Sequence, residues 1–116
     1  MGYRSEVVFA CYADAVPTMI AAVSKSPALK GLLFADADHK MLGDYDGSDS
    51  YLFAWSCIKW YPDSPWVAAF DEMIEKIEAK LGEEVYRFVR MGEDPDDSEE
   101  SGRGFEHIGI TRRLEY

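Results

Sequence analysis

Two runs of carboxylates carry most of the chemistry this sequence offers. Residues 36–49 hold Asp36, Asp38, Asp44, Asp46 and Asp49 against one base, Lys40, for a net charge of −4. Residues 93–100 hold Glu93, Asp94, Asp96, Asp97, Glu99 and Glu100 with no base, for a net charge of −6. Together they account for the whole formal charge of −10 on the 116-residue chain, and the remainder is neutral. Clustered carboxylates have three uses. They solvate loops and keep a strand-rich protein in solution. They attract a basic protein surface, raising on-rates in a salt-dependent way. They also hold divalent cations such as Ca²⁺. For that third use, the run from Asp44 to Asp49 misplaces the glycine of an EF-hand loop and no Glu closes it at the twelfth position. The run at 93–100 lacks the ligand spacing as well.

Other reactive side chains are scattered. His39 and His107 are each a candidate base or ligand. With Cys11 and Cys57 they are too widely and irregularly spaced for a zinc site. Both cysteines lie in apolar, strand-like runs and read as buried free thiols. Trp55, Trp60, Tyr61 and Trp66 cluster around Pro62. A platform for stacking nucleobases needs interleaved bases, and only Lys59 is present. Core packing, or a protein interface anchored by Trp60 or Trp66, fits better. Arg87, Arg90, Arg112 and Arg113 fall in two segments expected to be close in space. They either neutralise the acidic run between them or form a small anion site. The SGRG stretch at 101–104 lacks the strand–turn–helix context of a phosphate loop. No Ser-His-Asp or Cys-His arrangement stands out, and no cofactor is implied.

The acidic balance argues against direct binding of nucleic acid or of an anionic membrane, since phosphates need Lys and Arg. The apolar share of 47% is far above disordered composition. No window approaches the ~18 apolar residues of a membrane span. The opening MGYRSEVVFACYA has no signal-peptide pattern, and Glu6 stands where a myristoylation motif wants Ser or Thr. A cytoplasmic protein of one domain, residues 1–116, is the expectation.

The elements that must position these residues follow from periodicity. Residues 4–12 are apolar on both faces, as a central strand requires. Residues 14–24 read as a helix with Asp14 as cap, and Val16, Met19, Ile20 and Val23 make its apolar face. Ser26-Pro27 restarts a short helix through Leu33. A short strand at 39–42 precedes a turn at Asp46-Gly47. Residues 51–61 form an aromatic strand that ends at Pro62. Residues 64–81 carry apolar side chains at three- and four-residue steps and stop at Gly82, so they form a helix. A strand at 85–91, a loop at 92–105 and a strand at 106–115 complete the chain. The order predicts an α+β sandwich with a ferredoxin-like βαββαβ core and an extra C-terminal strand. Its mainly antiparallel sheet would carry two helices on one face.

The opening MGYRSEV, the stretch IKWYPDSPWV at 58–67 and the block YRFVRMGEDPDDSEESG at 86–102 resemble a group of small acidic proteins of tailed bacteriophages. That group has no assigned enzyme activity, so the resemblance implies a context and no catalytic residue. Small accessory phage proteins of this kind bind and inhibit host enzymes or defence complexes. The expectation is therefore a non-catalytic protein in the host cytoplasm that binds a host protein with a basic surface. The two acidic runs would supply attraction, and Trp60 and Trp66 would supply apolar anchoring. Two alternatives stand beside it. One is a self-associating structural protein, homodimeric through an edge strand such as 107–114. The other is a small enzyme or metal-binding protein using Asp36, Asp38 and His39.

Overall fold

A computed structural model describes residues 2–94, 96–110 and 114–116, with the backbone alone at Leu114 and Glu115. The first strand, β1 (Ser5–Cys11), leads through a single turn into α1 (Val16–Lys25) and α2 (Pro27–Lys30). A π-helical turn, Gly31–Ala35, extends α2. Then come β2 (His39–Tyr45), β3 (Ser50–Ile58), α3 (Pro65–Leu81), β4 (Tyr86–Gly92) and β5 (Ser98–Ser101). Two short strands, β6 (Gly109–Ile110) and β7 (Leu114–Glu115), end the chain. Among the described residues no helix is long and apolar enough to cross a membrane.

The fold is α+β. Five strands form one antiparallel sheet in the order β2-β3-β1-β4-β5. β1 lies at its centre, and that position explains the unbroken apolar run: both faces are covered. Val7, Phe9 and Cys11 pack on one side against Met19 of α1, Leu29 of α2 and Phe70, Met73 and Ile77 of α3. Val8 and Ala10 pack on the other side with Leu52, Ala54 and Val89, under Phe105 and Ile108 of the C-terminal segment. Aromatic rings fill the helix side. Phe9 meets Phe70 edge-on at 5.2 Å, and Trp60 meets Phe70 edge-on at the same distance.

Several sequence expectations change. Three helices, rather than two, contribute to the core on the helix side, because α2 and its π-helical turn bury Leu29, Leu32 and Leu33. Ser26 does cap α2, accepting from the Leu29 N–H at 3.2 Å. Asp14 does not cap α1; it sits inside the preceding turn, and the capping position is Ala15. Ile20, expected on the apolar face of α1, is 45% exposed. β2 runs on to Tyr45, and residues 46–49 reverse the chain into β3, with Asp46 and Gly47 at positive φ values of 58° and 71°. The fifth strand of the sheet is Ser98–Ser101, inside the expected loop. The alternating residues near the C-terminus instead give β6 and β7, which pair only with each other. Thr111, Arg112 and Arg113 of that expected strand lie outside the described residues.

Candidate functional site

The register of β1 decides which acids can act together. Ser5 lies opposite Ile58 and Gly92, whereas Cys11 lies opposite Tyr51 and Tyr86. The turn between β2 and β3, with Asp46 and Asp49, is therefore at the Cys11 end of the sheet. The turn between β4 and β5, with Glu93, Asp94, Asp96 and Asp97, is at the Ser5 end. β2 and β5 are also the two opposite edges. The acidic run at 36–49 is nevertheless split. Asp36 and Asp38 precede β2 and so return to the Ser5 end, where the Asp38 N–H donates to the Ala54 carbonyl at 2.9 Å. The Asp38 carboxylate accepts from the Ser56 N–H at 2.7 Å and from its hydroxyl at 3.0 Å. One end of the molecule thus gathers Asp36, Asp38, Glu93, Asp94, Asp96 and Asp97, while Asp44, Asp46 and Asp49 stand apart.

Two arginines of β4 pair with Asp97, Glu99 and Glu100 of the second run. Alternation along β4 sends Arg90 to the helix side and Arg87 to the other. Arg90 donates from Nη2 and Nη1 to the two oxygens of Asp97, at 2.6 and 3.2 Å. Its Nε donates to Glu99 at 2.5 Å, and Nη1 also donates to the Ser5 hydroxyl at 3.1 Å. Arg87 pairs with Glu100 and donates to the carbonyls of Gly102 and Ile108. The N-terminal segment joins this network. Tyr3 donates its hydroxyl to Asp97 at 2.7 Å and accepts from the Asp94 N–H at 3.0 Å, while the Arg4 N–H donates to Glu93. The Arg90 bonds, aided by Tyr3, hold the Asp97 carboxyl down at about 2. Asp97, Glu99 and Glu100 are therefore spent on arginines, and Glu93, Asp94 and Asp96 are the exposed acids of the run that form no ion pair among the described residues. Neutralisation, one of two roles expected for the arginines, holds for Arg87 and Arg90; Arg112 and Arg113 lie outside the described residues.

The two candidate tryptophans part company. Trp60 is 6% exposed and belongs to the core, so it offers no free anchor. The chain leaves β3 at Ile58 and folds inward, which carries Trp60 onto Phe70 and Phe88. Trp66, in the first turn of α3, is 36% exposed. It lines a cavity of about 290 Å³ with Asp36, Asp38, Cys57, Ile58 and Lys59. Cys57 is exposed rather than buried. The register shift between β1 and β3 inserts one extra residue near it and breaks the inward–outward alternation. Cys11 is buried as expected, and burial pushes its thiol up to about 12.

A second cavity at the same end, about 420 Å³, lies between Tyr3, Tyr61, Asp71, Arg90 and Glu99. Burial, with the Glu99 and Glu75 carboxylates nearby, raises the Asp71 carboxyl above its ordinary range. At the Cys11 end an open cavity of about 640 Å³ is lined by Asp46, Glu84, Arg103, Glu106 and His107. There His107 Nε2 shares a 2.8 Å hydrogen bond with the Tyr45 hydroxyl, whose burial pushes it up to about 12. His39, at the start of β2, lies near Tyr116, with ring centroids 6.4 Å apart. Asp38 is directed to Ser56, away from any ligand set with His39. Among the described residues no group of three or more His, Cys, Asp or Glu is disposed to hold a metal.

Comparison of the chain with family models, with curated proteins and with solved structures finds no match.

Proposed function

We propose that this chain is a non-catalytic accessory protein of phage type, which binds a basic host protein and inhibits a host enzyme or defence complex in the host cytoplasm. The observation that carries the reading is the convergence at the Ser5 end. Exposed Trp66, the acids Asp36, Asp94 and Asp96, and two cavities share that end. An aromatic anchor beside unspent carboxylates is the composition of a hot spot with electrostatic steering. Asp44, Asp46 and Asp49 take the solubility role, since they stand at the far end. The resemblance of 1–8, 58–67 and 86–102 to small acidic tailed-phage proteins supports the context. A ferredoxin-like core is supported by the order β2-β3-β1-β4, with β5 as an added edge strand.

Affinity capture from a bacterial lysate tests the proposal, with the wild type compared with Trp66→Ala and with Asp94→Asn/Asp96→Asn. Expected is a specific protein retained at low salt by the wild type, weakened by high salt and by both variants. Identical captured sets from all three would overturn it.

A second reading, self-association, is favoured by one observation. β2 is an outer edge of the sheet, and its Leu42 is 52% exposed. A concentration-independent monomer in sedimentation would remove it.

A further inference from the structure

The second cavity at the Ser5 end combines aromatic walls with a surplus of carboxylates. Tyr3, Trp60 and Tyr61 line it together with Asp71, Asp97 and Glu99. Its one cation, Arg90, already gives four N–H bonds to Asp97, Glu99 and Ser5. The lining carries three carboxylates against that single guanidinium, a surplus of two negative charges. Asp71 forms no ion pair among the described residues and lies close enough to Glu99 for the two carboxylates to repel. The volume of about 420 Å³ lies in the lower part of the range of ligand cavities, roughly 300–1,000 Å³.

Aromatic faces and a carboxylate outside the described ion pairs call for the same ligand chemistry, a cation with a flat or apolar stem. A guanidinium stacks on tyrosine and tryptophan faces and pairs with carboxylates in a fork that an ammonium cannot reproduce. We propose that this cavity receives an arginine side chain of the protein partner, held between Tyr61 and Tyr3 and paired with Asp71. The inference rests on the reading of the chain as a binder of basic proteins and names the recognition element within it. A partner protein, rather than a free small cation, is the occupant committed to. Tyr3 of its wall accepts from the Asp94 N–H, Asp97 of its wall follows Asp96, and Val67 of its wall follows Trp66, so the cavity shares its end of the molecule with all three.

The test uses a hexaarginine peptide and its neutral isostere hexacitrulline, with ¹⁵N amide shifts of the whole chain as readout. Hexaarginine is expected to shift Tyr3, Tyr61 and Asp71, and hexacitrulline to leave them in place. Asp71→Asn removes an exposed group that forms no ion pair among the described residues, so the fold is kept. It should weaken hexaarginine about fivefold, the upper range for one exposed charge pair. Three results overturn the inference: no shift at these residues, an unchanged affinity in Asp71→Asn, or agmatine binding as tightly as the peptide. If Asp94→Asn/Asp96→Asn weakens the peptide while Asp71→Asn does not, the cavity assignment fails and the broader binding reading stands.

Discussion

Arg90 and Asp97 meet as a two-pronged pair, with N–O distances of 2.6 and 3.2 Å, and the pair fastens the β4–β5 turn to the sheet. The Asp97 carboxyl is held at about 2 against an ordinary value of 3.8. A carboxyl depressed by folding stabilises the protein above its unfolded value, and the contribution is lost as pH falls through the folded value. Stability should therefore decline between about pH 4 and pH 2. Asp97 is partly open to solvent, so screening leaves its contribution at about 1 kcal/mol. Asp97→Asn should lose that stability at pH 7 and flatten this part of the pH profile. Urea denaturation at pH 7, 4 and 2.5 checks both statements.

Trp60 and Trp66 should separate stability from binding. Trp60→Ala empties a site among Trp55, Phe70 and Phe88 and should cost about 3–5 kcal/mol. Trp66→Ala removes a half-exposed ring and should cost less than about 1 kcal/mol. Partner capture should fall in the second variant while its thermal midpoint barely moves. A comparable loss of stability in both would contradict the burial difference.

The two thiols should react very unequally. Cys11 is buried and pushed up to about 12, whereas Cys57 is exposed. In the native protein a disulfide reagent such as Ellman's should titrate one thiol rapidly and the second only on unfolding. A Cys57→Ser variant should abolish the fast phase.

Gly102 has a φ of 83°, and a Cβ there would collide with the Tyr86 carbonyl. Gly102→Ala combines a left-handed backbone with a steric clash and should destabilise the fold by about 1–3 kcal/mol. Gly47→Ala, with φ of 71° and open space around it, should cost about 1 kcal/mol. Equal thermal shifts in the two variants would deny the close approach of residue 102 to β4.

Much of this architecture is written in periodicity. Phe70, Met73, Ile74 and Ile77 recur at helical steps and are buried where the spacing predicts. The doubly apolar β1 is central, as its composition requires. β5 escapes such reading because Ser98-Glu-Glu-Ser101 buries nothing. It is fastened through Arg87 and Arg90, and a hydrophobic pattern carries no record of ion pairs. Trp60 and Cys57 exchange their expected exposures for a related reason. A single extra residue in β3 shifts the parity of everything after Trp55, and nothing in the local composition marks the insertion. The candidate site was legible as acids and aromatics but not as a place. Only the strand register divides residues 36–49 between two ends.

Closure of the second sheet face sets an order of events in folding. Val8 and Ala10 are covered by Phe105 and Ile108, which follow them by nearly the whole chain. A ribosome releases these partners long after β1, so the apolar surface of β1 on that side stays wet until they emerge. The central strand must also wait for β4. Long loops must close before such contacts stabilise anything, and the entropy of closing them slows folding.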